Sequence, residues 1–147
     1  MASRRQARRQ ALDILYQADV TGSEPHLVLE GWERVGKPVD PFARELVEGV
    51  AAHRAEIDGH LERLAEDWTV DRMASLDRSI LRIACFELLH RPDTPPGAAI
   101  DEAVQAAKEL STEDSSRFVN GILGRFVRER TGVLDAPPSD AGQIPRA

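Results

Sequence analysis

Apolar residues recur at helical spacing in seven stretches of this chain, and polar, glycine or proline breaks separate them. In the first, Ala7, Ala11, Ile14, Leu15 and Ala18 share one stripe, the pattern of an amphipathic helix with one face turned to a core. Ser3 stands where a hydroxyl can cap its free N–H groups, and Gly22, Ser23 and Pro25 end it near Val20. A short second helix is expected from about Leu27 to Arg34, before Gly36, Pro38 and Pro41. Asp40 followed by Pro41 predicts the next start, a capping carboxylate and then a proline where a helix needs no N–H. Phe42, Leu46, Val47 and Val50 form the third stripe; after a break near His53, Ile57, Leu61, Leu64 and Trp68 form the fourth. Thr69 to Met73 reads as a polar connection.

The fifth stripe is Leu76, Ile80, Ile83, Ala84 and Leu88, stopped by RPDTPP. Ile100, Ala103, Val104, Ala107 and Leu110 define the sixth, and Val119, Ile122, Leu123, Phe126 and Val127 the seventh, with N-cap candidates in STEDSS. The fold class is therefore all-α: about seven helices in two small packed bundles, about residues 3–56 and 57–131 of a single domain 1–131. Residues 132–147, with Pro137 and Pro138, are expected to be a disordered tail.

Composition supports helix over strand, because the chain is 41% hydrophobic but only 5% aromatic and is rich in Ala, Leu, Glu and Arg. At 147 residues it can bury a sizeable core. Charge changes the picture more. The net charge is −6, yet residues 1–10 hold Arg4, Arg5, Arg8 and Arg9 and no carboxylate. An acidic bulk repels phosphates and argues against nonspecific coating of nucleic acid, while a local basic site remains open. The single cysteine, Cys85, excludes an intramolecular disulfide and any multi-cysteine zinc pattern, and fits a reducing compartment such as the cytoplasm. No apolar window has the length of a membrane span or a signal segment.

At 100° per residue, Arg5, Arg9 and Tyr16 lie within about 40° of one another on the first helix, and Arg4 and Arg8 border the apolar stripe. Guanidiniums in line with an aromatic ring suit RNA, since arginine pairs with phosphate and tyrosine gives a base a stacking plane. The plain alternative is a solubilising helix end with Tyr16 half-buried. Against it stands a cost, because cations at a helix N-terminus oppose the macrodipole by about 0.3–1 kcal/mol.

Four other signals carry little chemistry. Gly31 to Pro38 matches a phosphate-cradling loop except at Pro38, where the magnesium-binding hydroxyl belongs, and no strand precedes it. It reads as an interhelical turn. His53, Glu56 and His60 are weighed as metal ligands, but their spacing across a suspected break favours solvated or helix-ending roles, and no metal or cofactor is expected. Cys85 borders the fifth stripe without a sequence-evident base and reads as a buried thiol. Acidic pairs such as Asp101–Glu102 and Glu113–Asp114 are expected at helix beginnings, so no catalytic constellation is found and an enzyme is not expected. Near the C-terminus, Phe118 falls at the edge of the seventh stripe with Arg117 outside it.

RRQARRQALDILYQAD, LDRSILRIACFELLH, AIDEAVQAAKELS and EDSSRFVNGIL, in this order over about residues 3–128, closely resemble the NusB family of bacterial transcription factors. FVNG with its upstream EDS, and LRIA-x-x-EL, are the most specific elements. The resemblance implies an all-helical fold of two bundles and a non-enzymatic protein that binds boxA RNA of ribosomal RNA operons together with NusE, a small-subunit ribosomal protein. It also implies other Nus factors and RNA polymerase as partners in antitermination. Carried over to this chain, the RNA-facing residues are Arg4, Arg5, Arg8, Arg9, Tyr16, Arg117 and Phe118, with Asp114 beside them. Asp71 and Asp77, around the fourth and fifth helices, are the candidates for contacting NusE. Gln6 stands where relatives often carry another basic residue. Two rivals stay open: a helical protein-binding adaptor without RNA binding, and the RNA-binding domain of an rRNA cytosine methyltransferase. A homodimer that hides the basic arm is a further alternative.

Overall fold

The computed structural model describes residues 3–66 and 69–130, and every apolar stripe within them folds as helix. The elements are α1 (Arg4–Thr21), α2 (Pro25–Arg34), α3 (Pro41–Ala52), α4 (Arg54–Ala65), a 3-10 turn (Val70–Arg72), α5 (Ser75–His90), α6 (Pro96–Leu110) and α7 (Glu113–Arg130). No strand occurs among the described residues. The caps act as their residue types dictate. Ser3 Oγ accepts from the Gln6 N–H at 3.1 Å, while the Gln6 side chain accepts from the Ser3 N–H at 3.0 Å. This capping box gives Gln6 a structural task. Asp40 accepts from the Phe42 N–H at 2.8 Å, directly ahead of Pro41.

Helices α1, α2 and α3 pack together, α4, α6 and α7 pack together, and α5 touches both groups. The buried apolar side chains form one contiguous cluster through all of it, from Ile14, Leu46 and Val47 to Leu81, Leu123 and Phe126. Helix α3 comes so close to α5 that a Cβ on Gly49 would lie 2.1 Å from the Phe86 ring; only a glycine fits there.

Two elements depart from the expectation. Helix α6 begins at Pro96 rather than near Ile100, because the Pro95–Pro96 pair that stops α5 is also suited to a helix start. The segment read as a polar connection instead buries Val70 and Met73 in the core through the 3-10 turn. Trp68 and the 132–147 tail lie outside the described residues. The phosphate-loop look-alike is the end of α2 and a turn at Gly36 with φ 82°. Cys85 is fully buried, and burial pushes its thiol up to about 12, so it is inert packing.

Candidate nucleic-acid interface

The α1 arginines separate into two kinds, decided by where their carboxylates sit. Arg8 faces α5, where its Nε donates to Glu87 Oε2 at 2.7 Å and its Nη2 to Oε1 at 2.9 Å. Glu87 is 1% exposed, and the buried Thr94 hydroxyl also donates to it at 3.2 Å. The Glu87 hydrogen bond, ahead of the opposing effect of burial, holds the Arg8 guanidinium above its ordinary range. Arg8, expected to face RNA, is thus committed to a desolvated, two-pronged pair inside the fold.

Arg5 and Arg9 turn outward and meet carboxylates in open solvent. Arg5 lies 3.5 Å from Glu102 and 3.6 Å from Glu109, and Arg9 donates to Glu109 at 2.6 Å. Glu102 therefore serves as a side-chain partner beyond the first turn of α6 instead of a cap at its start. Hydrogen bonds from Gln105 and Arg9 hold the Glu109 carboxyl below its usual range. Solvated pairs of this kind are worth little and exchange readily for a phosphate. Arg4, at the first helical position, stacks over the Phe42 ring at 4.0 Å and reaches Asp93 only at 3.9 Å. Arg5 and Arg9 also line an open groove with Trp32 and Lys37, whose ammonium sits 4.2 Å from the indole ring. Sequence reasoning missed this pair, since nothing local says that the end of α2 folds against α1.

Tyr16 continues the outer stripe and is 42% exposed. One turn further along α1, Asp19 accepts from Arg78 Nη2 at 2.6 Å and from its Nε at 3.2 Å. Burial pulls the Asp19 carboxyl up, but hydrogen bonds from Arg78 and Ser75 and the charges of Arg78 and Arg82 outweigh it and leave the carboxyl below its ordinary range. Arg78 Nη1 also donates to the carbonyls of Val70 at 2.9 Å and Asp71 at 3.2 Å, so one guanidinium fastens the 3-10 turn to the end of α1.

Asp77, the residue before Arg78, accepts from Ser115 Oγ at 2.9 Å. Two neighbours on α5 thus tie α1 to the first turn of α7, and Phe118 follows Ser115 by one turn. Tyr16 stands one turn before Asp19 in the same way. The pairs Asp19–Arg78 and Asp77–Ser115 therefore anchor the two ring-bearing turns, each separately, to consecutive residues of α5. Phe118 is half-buried against the core and shares a concavity with Arg72, Met73, Asp77, Asp114 and Ser115. Asp114 and Arg117 form an exposed pair at its rim.

Of the two carboxylates expected to meet a partner, Asp71 is exposed on the 3-10 turn. Asp77 is only 8% exposed, and its Oδ1 has no hydrogen-bond partner. Its burial, which links α5 to α7, corrects the expectation of an open surface acid.

A model of the NusB family matches residues 5–128. The transcription antitermination protein NusB of Saccharopolyspora erythraea is 50% identical over 131 residues, covering 86% of this chain and 87% of that protein. Its counterpart in Heliobacterium modesticaldum is 48% identical over 130 residues, covering 86% of this chain and 63% of that longer protein. Among solved structures, T. maritima NusB superposes with a TM-score of 0.78 at 34% identity, over 87% of this chain and 92% of that one. A chain from the complex of antitermination factors NusB and NusE with double-stranded RNA superposes with a TM-score of 0.75 at 28% identity, over 86% of this chain and 96% of that one. With α2 to α6, nearly all of α1 and α7, and the FVNG stretch within the matched span, the chain belongs to the NusB family.

Proposed function

We propose that this chain is a non-enzymatic transcription antitermination factor that binds boxA RNA of ribosomal RNA operons together with NusE, acting with other Nus factors and RNA polymerase in the cytoplasm. The observation that carries the reading is that the Tyr16 turn of α1 and the Phe118 turn of α7 are each tied to one of two consecutive residues of α5. In a family whose solved members include a complex with NusE and RNA, this supports a single strand running between those two turns.

In this reading Arg5 and Arg9 hold phosphates after release from Glu109 and Glu102, and Arg4 adds charge at the helix end. Tyr16 and Phe118 stack bases, with Asp114 and Arg117 at the rim. Arg8 acts from beneath by holding α1 on α5. Asp71, presented by Arg78, meets the basic partner NusE, and Asp77 positions the α7 turn. NusE docking lengthens the surface and raises RNA affinity by linkage. The packing of α1–α3 and of α4–α7 about α5 supports a division into bundles near residue 56.

The test is a titration of boxA RNA with the protein alone, with NusE alone and with the mixture, repeated for Phe118→Ala. Tighter binding by the mixture is expected, and Phe118→Ala weakens it by a factor set by stacking worth about 1–3 kcal/mol per base. Binding by NusE that this protein does not improve would contradict the proposal.

A further inference from the structure

The α3–α4 joint and the end of α5 bring together three metal-ligating side chains that take no part in the interface described above. His53 ends α3 and precedes α4, Glu56 lies in the first turn of α4, and His90 is the last residue of α5. His90 Nε2 is 2.8 Å from Glu56 Oε1, and His53 Nδ1 is 3.5 Å from the same oxygen. One donor atom from each of the three falls within 4.8 Å of the other two. The two imidazoles stack at 3.9 Å between centroids, with the Phe86 ring 5.9 Å from His53 and 5.6 Å from His90.

We propose that His53, Glu56 and His90 form a binding site for a divalent first-row transition metal ion of the zinc class. Two imidazole nitrogens and one carboxylate are a zinc donor set, with the fourth position left to water. Bonds of about 2.0–2.2 Å in a tetrahedron put donors roughly 3.3–3.5 Å apart. The His53–Glu56 separation already matches. The His90–Glu56 pair opens by about half an ångström, and His53 and His90 adjust by side-chain rotation. All three side chains are 30–45% exposed, which leaves them room to do so and leaves the ion a route in.

The flanking cations do not compete for these donors. Arg54 is held by Asp58 at 3.2 Å, and Arg91 by Glu45 and Asp93. Phe86 backs the rings and restricts where they can go. His60, which its spacing from His53 first recommends, turns elsewhere: its ring meets Phe126 edge-on at 5.2 Å, and its Nδ1 lies 3.0 Å from Arg63. Because the donors come from the α3–α4 joint and the end of α5, a bound ion would pin these elements together.

The experiment is calorimetric titration of the full chain with zinc chloride, alongside thermal unfolding with and without zinc, for the unmodified protein and for His90→Ala, Glu56→Gln and His60→Ala. One ion per chain and a raised Tm are expected, with affinity lowered at least about tenfold in His90→Ala and Glu56→Gln and unchanged in His60→Ala. Circular dichroism confirms that the exposed-site variants fold. No saturable binding, or binding that survives His90→Ala and Glu56→Gln, overturns the proposal. Loss of binding in His60→Ala instead would assign the ion to a different set of donors and overturn it equally.

Discussion

On the inner side of α1, facing α5, charged groups meet in near-dryness: Arg8 with Glu87, and Asp19 with Arg78, at side-chain exposures of 14% or less. On the outer side, Arg5 and Arg9 meet Glu102 and Glu109 at exposures between 28% and 51%. The residue types are the same and the helix is the same. What differs is the solvent around the carboxylate, and that difference sorts fixed pairs from exchangeable ones. A buried pair broken on one side strands a charge, whereas an exposed pair broken on one side is rescued by water. The inner face thus builds the scaffold, and the outer face is left free for an anion.

The largest effect expected is on the inner face. Arg8→Ala leaves Glu87 charged and buried, and should cost about 3–5 kcal/mol in urea unfolding. A cost below about 1 kcal/mol, the level of an exposed pair, would erase the distinction between the faces. Asp19→Asn weakens the charge-assisted bonds from Arg78 and should cost about 1.5–3 kcal/mol. The same pair makes an acid prediction. The Asp19 carboxyl titrates lower in the fold than in the unfolded chain, so its stabilisation is complete above about pH 4 and is lost as pH falls through the folded value. Unfolding followed from about pH 6 down to about pH 2 should therefore show a smaller acid-dependent loss in Asp19→Asn than in the unmodified protein.

Outer-face changes should barely touch stability. Arg5→Ala with Arg9→Ala should shift unfolding by no more than about 0.5 kcal/mol. Smallest of all, Glu109→Gln removes the internal competitor for both guanidiniums and should tighten boxA binding by about two- to fivefold, with the fold intact. Weaker binding in Glu109→Gln would mean that the carboxylate helps the RNA site instead of competing with it.

The helices were legible in the sequence because burial imposes its period locally: the stripes from Ala7 to Phe126 and the caps Ser3 and Asp40 need no long-range information. The arginine cluster and Phe118 were legible as candidates for the same reason, and FVNG pointed to the family. Partnerships were not. Glu87 is 79 residues from Arg8, and Glu109 is 100 from Arg9, so no local pattern separates the structural arginine from the available ones. Asp77 reads as a surface acid until α7 folds over it, and Val70 and Met73 look like parts of a polar link until the 3-10 turn tucks them in. His90 was invisible as a partner of His53 and Glu56, because helix periodicity relates residues within one helix and says nothing of where another ends.

The most direct measurement is the salt dependence of boxA binding in the presence of NusE, for the unmodified protein and for Arg5→Ala with Arg9→Ala. If the outer face holds phosphates, the double variant binds more weakly and its log–log slope is shallower by about 1.4, roughly 0.7 for each phosphate that is no longer neutralised. An affinity and slope equal to those of the unmodified protein would contradict the account.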